Sequence, residues 1–157
     1  MAHGKAWNPD VAQQRIREQL HLDGALLPIL HALQEAFGYI DEQAEPLIAA
    51  ALNRSRAEIH GVVTFYHDFR RVPAGRHVLK LCRAEACQAA GGDALAERAQ
   101  ARLGVALGET AADASVTLEP VYCLGLCAVA PSAMIDGRVV GRLDEKRLDA
   151  FVAEAER

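Results

Sequence analysis

Two short stretches, Cys82-Arg-Ala-Glu-Ala-Cys87 and Cys123-Leu-Gly-Leu-Cys127, contain all four cysteines of this 157-residue chain. Four residues lie between the cysteines of the first pair, and three lie between those of the second. Four thiolates provide a complete ligand set for a [2Fe–2S] cluster, with two on each iron. The same residues could bind zinc or form two disulfides, so the spacing and the surrounding sequence must distinguish these possibilities.

The spacing favours a two-iron cluster over one zinc ion. Structural zinc sites with four cysteines commonly use Cys-x2-Cys loops, which aim two sulfur atoms at one ion, and neither pair has that spacing. Dithiol chemistry of the thioredoxin type also needs Cys-x-x-Cys, which is absent. A Rieske centre needs two histidines, and all six histidines lie at or before residue 77. A zinc-stabilised interaction module without redox chemistry remains the alternative.

The composition is typical of a globular protein in a reducing compartment. Apolar residues make up 51% of the chain and charged residues 24%, which permits an apolar core. The net charge of −4 does not suggest nucleic-acid binding, and no stretch is long and apolar enough for membrane insertion. The first ten residues lack the apolar region of a signal peptide. We therefore expect a cytoplasmic protein, in which structural disulfides are disfavoured.

The first half of the chain is predicted to be helical. Apolar periodicity and capping signals predict four helices, at residues 9–20, 25–37, 41–52 and 55–66. Gly38 is expected to end the second helix, and Asp41 is expected to cap the third. Ser55 and Glu58 have the spacing of a capping box, in which each side chain binds the backbone amide of the other residue.

After Pro73 the pattern changes to strands and helices in alternation. Strands are predicted at residues 77–81, 116–122, 133–135 and 139–141, and helices at residues 89–103 and after Asp144. Asp136-Gly137 is a typical two-residue hairpin turn between the last two strands. Each cysteine pair then lies in a loop just beyond a strand. This order predicts an α+β fold, with an N-terminal helical bundle over residues 1–72 and a thioredoxin-like domain with a mixed sheet over residues 73–157.

Small and apolar residues surround both cysteine pairs. Gly91, Gly92 and Gly125 allow the backbone to come close to a cluster, where amides can donate hydrogen bonds to sulfur. Arg83 is close enough in sequence to offset part of a cluster's negative charge. The apolar neighbours are expected to limit access of solvent, and they are Ala84, Ala86, Leu124, Leu126, Ala128 and Val129.

Three further stretches carry a resemblance to a known family. They are Leu27-Pro-Ile-Leu-His-Ala-Leu-Gln-Glu-Ala-Phe-Gly-Tyr39, Gly61-Val-Val-Thr-Phe-Tyr66 and Ala130-Pro131. Together with the cysteine loops they resemble the thioredoxin-like [2Fe–2S] ferredoxin subunit of NADH-oxidising complexes, over residues from about 10 to the end. Members occur in respiratory complex I, in NAD-linked hydrogenases and in soluble NAD-dependent formate dehydrogenases. The resemblance implies one [2Fe–2S] cluster with these ligands: Cys82, Cys87, Cys123 and Cys127.

The resemblance also implies partners. Family members bind a larger diaphorase subunit that carries FMN, a [4Fe–4S] cluster and the NAD site, and the N-terminal helices would dock on it. Residues 83–88 look more like the gamma subunit of formate dehydrogenase than like the complex I subunit, which commonly has small or hydroxyl residues there. We therefore expect an electron-transfer subunit, non-catalytic alone, of a soluble NAD-dependent formate dehydrogenase with a molybdenum-containing subunit. The equivalent subunit of complex I or of a hydrogenase is the alternative.

Overall fold

A computed structural model describes residues 6–155 of the chain. Within that range, a helical unit is followed by a unit built on a mixed five-stranded sheet, which confirms the predicted α+β fold. Contacts divide the chain into Met1–Pro73 and Ala74–Arg157, and each unit has its own apolar core. No helix among the described residues is long and apolar enough to cross a membrane.

Among its described residues, the N-terminal unit contains four helices, as the sequence predicts. They are α1 (Pro9–Gln19), α2 (Leu26–Phe37), α3 (Ala44–Leu52) and α4 (Arg56–Phe65). The Asn8 side-chain oxygen accepts hydrogen bonds from the backbone amides of Asp10 and Val11 at the start of α1. Gly38 ends α2 with a φ of 83°. The Ser55–Glu58 capping box is present in full at the start of α4. These end signals act locally, which is why the sequence predicts them well.

The start of α3 differs from the prediction. The Asp41 carboxylate accepts the Gln43 amide at 2.9 Å, and its carbonyl accepts the Ala44 amide at 3.0 Å. Asp41 thus closes a turn on its own backbone, as aspartate side chains often do. The helix begins only at Ala44 and has no side-chain cap, so the prediction that Asp41 caps it is wrong.

One carboxylate is buried beside the apolar core of this unit. Glu45, in the first turn of α3, is 1% exposed and contacts the guanidinium of Arg71. His60 Nδ1 lies 3.0 Å from its carboxylate, and Arg56 Nε lies 3.4 Å from it. Burial alone would raise the pKa of Glu45, but hydrogen bonds from Arg71, His60 and Arg56 hold that pKa below its usual range. The carboxylate therefore connects α3, α4 and the segment after α4.

We expect Glu45→Gln to lower the free energy of unfolding at neutral pH by about 1.5–3 kcal/mol, because charge-assisted hydrogen bonds are lost. A lowered folded-state pKa stabilises the protein above the unfolded glutamate pKa of about 4.3, and this stabilisation disappears as the pH falls through the folded value. The difference between variant and parent should therefore shrink in acid, which denaturant unfolding at several pH values measures. A difference that grows in acid would contradict this account.

Glu42→Gln is the matched control for that measurement. Glu42 forms an ion pair with the same arginine, with Arg71 Nη2 at 3.4 Å, but its side chain is largely exposed to solvent. Exposed ion pairs contribute little to stability because water and salt screen them. We therefore expect Glu42→Gln to leave the unfolding curve nearly unchanged.

The second unit follows the order β1 (His77–Cys82), α5 (Glu85–Ala89), α6 (Gly92–Leu103), β2 (Glu109–Thr110), β3 (Val116–Val121), β4 (Ala133–Ile135), β5 (Arg138–Val140) and α7 (Glu145–Ala155). The strands are arranged as β2-β3-β1-β4-β5. β1 and β3 are parallel, and the other pairs are antiparallel. A parallel pair needs a long crossover, which α5, α6 and β2 provide here.

Several local predictions in this unit are confirmed. Asp136 and Gly137 form the β4–β5 turn with φ values of 49° and 87°. The Asp144 carboxylate accepts the Arg147 amide at 2.8 Å and so caps α7. The buried face of α7 includes Leu148, Phe151 and Val152, as the periodicity indicates. These residues pack against buried side chains of the sheet and α6, including Leu79, Leu118, Ile135 and Ala96.

Two predictions in this unit are wrong. The helix predicted over residues 89–103 begins only at Gly92, because Gly91 adopts a φ of 89° and separates α6 from α5, a short helix that was not predicted. Cys82 is the last residue of β1 and Cys87 lies within α5, so this pair does not lie in a loop. The short strand β2 was not predicted, since its two exposed residues carry no alternating pattern.

Candidate metal centre

The register of the sheet brings the two cysteine pairs to one edge. Cys82 at the end of β1 pairs with Val121 at the end of the parallel strand β3. The Cys82 amide donates to the Ser132 carbonyl at 3.1 Å, which puts the start of β4 at the same edge. The loop after β3, at residues 122–127, therefore begins beside the turn that leads from β1 into α5.

The two pairs differ sharply in exposure. Cys82 is 4% exposed and Cys87 is 2% exposed, so the first pair belongs to the protein interior. Cys123 and Cys127 are exposed, and their sulfur atoms lie 3.7 Å apart. All four cysteines are free thiols, which leaves each of them available as a metal ligand.

Several donors surround the sulfur of Cys82. The polar groups beside it are the amides of Ala84 and Cys123, the Cys87 thiol and the Ser132 hydroxyl. Burial alone would raise the pKa of Cys82, but these donors hold it below its ordinary value. A thiol that ionises easily is well suited to metal binding, because the thiolate is the ligand. The Cys123 amide also connects the second loop directly to the first pair.

In the exposed pair, the pKa of Cys127 changes in the opposite direction. The neighbouring Cys123 side chain and its charge raise the pKa of Cys127, and burial and the charge of Cys87 add to the effect. The influence of Cys87 shows that the buried and exposed pairs are within electrostatic reach of each other. Repulsion among several thiolates is relieved when a cationic metal binds between them. The four thiols are therefore candidates for one donor set.

The loop that carries the second pair has an unusual backbone. Cys123 has a φ of 103°, which residues other than glycine rarely adopt, and such strain is concentrated at functional sites. Gly125 has a φ of 76°, and its amide donates to Cys123 Sγ at 3.3 Å. The peptide bond between Ala130 and Pro131 is cis. The prediction that the Gly125 region supplies an amide to sulfur is thus confirmed.

The donor set fits a two-iron cluster. Four soft thiolates in two pairs, with amides donating to sulfur, are the ligand type that iron–sulfur clusters use. The Cys-x4-Cys and Cys-x3-Cys spacings differ from the Cys-x2-Cys loops that are common in structural zinc sites, and this difference favours the cluster.

The surroundings of the pairs agree in part with the sequence analysis. Five of the six apolar neighbours are half-buried, and only Ala128 is exposed. A Cβ on Gly92 would lie 2.6 Å from the Cys87 carbonyl oxygen, so this glycine does allow a close approach. Arg83 Nη2 lies 3.2 Å from Asp93, which balances the charge of Arg83 within the protein.

Sequence reasoning missed two residues of this site. Tyr122, directly before Cys123, is 75% exposed, and Ser132 is 2% exposed with its hydroxyl 3.5 Å from Cys87 Sγ. The position of Tyr122 next to a ligand candidate was visible in the sequence. The contact of Ser132 depends on the pairing of β1 with β4, and no local signal reveals it.

Comparisons with known proteins agree with this description. The family described as thioredoxin-like [2Fe-2S] ferredoxin matches residues 12–156. A subunit of the NADH-quinone oxidoreductase of Pseudomonas aeruginosa is 36% identical over 132 residues, which cover 82% of this chain and 80% of the relative. The HndA subunit of the NADP-reducing hydrogenase of Solidesulfovibrio fructosivorans is 29% identical over 132 residues, covering 84% and 77%.

A solved structure shows the same fold. In the crystal structure of an NAD+-reducing [NiFe]-hydrogenase in the H2-reduced state, one chain matches 83% of this chain with a TM-score of 0.72 and 30% identity. The match covers only 22% of that chain. The present chain therefore corresponds to one part of a larger polypeptide in that enzyme.

Proposed function

Because this chain belongs to the thioredoxin-like [2Fe–2S] ferredoxin family and is an electron-transfer subunit of NADH-linked complexes, we propose that its four cysteines hold the cluster and that its complex is an NAD-dependent formate dehydrogenase. The ligands in this proposal are Cys82, Cys87, Cys123 and Cys127. The observation that carries it is the meeting of two distant cysteine pairs at one edge of the sheet.

The protein groups around the thiols support a role in electron transfer. A bound cluster supplies the uptake and release of one electron at a time, which needs no acid or base from the protein. The amide of Gly125 donates to Cys123 Sγ, and the amides of Ala84 and Cys123 favour negative charge on the sulfur of Cys82. Burial of Cys82 and Cys87 keeps water from one side of the donor set. These residues hold and tune a redox group.

The segment at residues 83–88 supports formate dehydrogenase as the parent complex, because its sequence resembles the gamma subunit of that enzyme. Two of its residues, Arg83 and Gln88, interact with each other, and Arg83 also contacts α6. The Gln88 side-chain amide donates to the Arg83 carbonyl at 2.8 Å, and Arg83 forms its ion pair with Asp93. The similarity to the NADH-quinone oxidoreductase and hydrogenase relatives favours a second candidate, the equivalent subunit of complex I or of an NAD-linked hydrogenase.

The N-terminal segment, residues 1–72, is the proposed docking segment for the diaphorase subunit with FMN and NAD. Within the helical unit, Phe65 is 72% exposed and stacks edge-on against Tyr66, which is 44% exposed. A cleft of about 570 Å³ lies between the end of α1, the start of α2 and α4, and its apolar lining includes Leu20, Leu22, Leu26 and Val62. Exposed aromatic residues are enriched at protein interfaces, so both features support docking through this unit.

Affinity purification of the tagged chain, followed by mass spectrometry, tests the parent complex. We expect a flavin subunit and a molybdenum-containing subunit to co-purify, and we expect the complex to reduce NAD with formate. The untagged chain, processed in parallel, is the control. Recovery of complex I subunits together with quinone-linked NADH oxidation would contradict the formate dehydrogenase proposal. Recovery of hydrogenase subunits would contradict it equally.

A further inference from the structure

A buried hydroxyl lies beside the buried cysteine pair. Ser132, directly before β4, is 2% exposed, and its Oγ lies 3.5 Å from Cys87 Sγ. Its backbone carbonyl accepts the Cys82 amide at 3.1 Å, which fixes its position relative to β1. The backbone and the side chain of Ser132 therefore both contact the first pair.

The direction of the hydrogen bond between Ser132 and Cys87 is determined once Cys87 binds metal. Between a neutral thiol and a hydroxyl, either atom can donate. A metal-bound cysteine is a thiolate without a proton, so only the serine hydroxyl can donate to it. Because Ser132 is almost completely buried, solvent is not available as a substitute partner.

We propose that Ser132 is a positioning residue whose hydroxyl donates to a sulfur atom of the buried pair and thereby raises the reduction potential of the cluster. This inference rests on the proposed ligation by Cys82 and Cys87. Reduction adds one negative charge, which is shared with the ligand sulfur atoms. A hydrogen-bond donor stabilises the reduced form more than the oxidised form, and hydrogen bonds to sulfur are an established determinant of cluster potential.

The test is Ser132→Ala in the complete chain, which removes the hydroxyl and keeps the Cβ. We expect unchanged iron and sulfide contents and a lower midpoint potential in a redox titration followed by electron paramagnetic resonance. A tenfold change in the ratio of oxidised to reduced cluster at fixed potential, or about 59 mV for one electron, is the expected size. Ser115→Ala is the matched control, since this buried serine donates to Asp113 at 2.7 Å at the start of β3, away from the cysteines.

Each outcome has a defined meaning. A parental potential in Ser132→Ala with an intact cluster overturns the inference and leaves the ligation proposal untouched. A parent protein without a [2Fe–2S] cluster overturns the ligation proposal itself. If Ser132→Ala fails to retain the cluster, Ser132→Thr, which keeps the hydroxyl, decides the matter. A parental potential in Ser132→Thr supports the inference, whereas a lowered potential or loss of the cluster in that variant overturns it.

Discussion

Replacement of Cys82 by serine is expected to abolish the stable [2Fe–2S] cluster. The change removes one of the four proposed ligands and puts a hard hydroxyl where iron needs a soft thiolate. Cys82 is buried, so water has little access to this position as a substitute ligand. Iron and acid-labile sulfide should fall to a small fraction of the parental content, together with the visible absorbance.

Cys127→Ser should have the same effect, although Cys127 is exposed. The matched control is Ala128→Ser, which adds a hydroxyl beside this ligand candidate and removes no thiol; Ala128 is exposed and has room for the added atom. We expect that control to retain the parental iron content. Full iron and sulfide contents in both cysteine variants would contradict the ligand assignment.

Removal of residues 1–70 is expected to leave a cluster-bearing protein that no longer assembles with the flavin subunit. The core of the second unit contains only residues from Leu79 onward, and all four cysteines lie in that unit. The truncated chain should therefore fold and retain iron. The exposed aromatic residues and the apolar cleft of the helical unit are lost with the deleted segment, so co-purification with the partner should disappear.

A pull-down with equal amounts of the full and the truncated chain measures this effect, and the visible spectrum of each chain confirms that both carry the cluster. Undiminished recovery of the flavin subunit with the truncated chain would show that docking occurs through residues after Pro73. Loss of the cluster on truncation would show that the second unit depends on the helices for its stability.

Features that depend on neighbouring residues could be predicted from the sequence. The Ser55–Glu58 capping box and the Asp136-Gly137 turn each rest on contacts within a few residues, and both form as expected. Asp41 shows the limit of such rules, because its side chain accepts a hydrogen bond within the turn before α3 and does not cap the helix. Likewise, the sequence shows the glycines near the start of the predicted helix. It does not show that Gly91 adopts a positive φ, which is why α6 begins only after that residue.

Features that depend on long-range pairing could not be predicted in the same way. The spacing of the cysteines indicated a four-thiolate site, but the parallel register of Cys82 with Val121 is what brings the pairs together. The difference in burial between Cys87 and Cys127 follows from their positions in a packed helix and an exposed loop, and the sequence pattern does not contain it. The contact of Ser132 has the same origin.

The visible spectrum and metal content of the purified chain test the central claim most directly. We expect a red-brown protein that contains iron and acid-labile sulfide in equal amounts and loses its colour when dithionite is added, because one electron enters the cluster. The single [2Fe–2S] site that the four thiols would form requires two iron atoms per chain. A colourless protein that binds one zinc ion per chain and does not respond to dithionite would contradict the account and would support a zinc-stabilised interaction module instead.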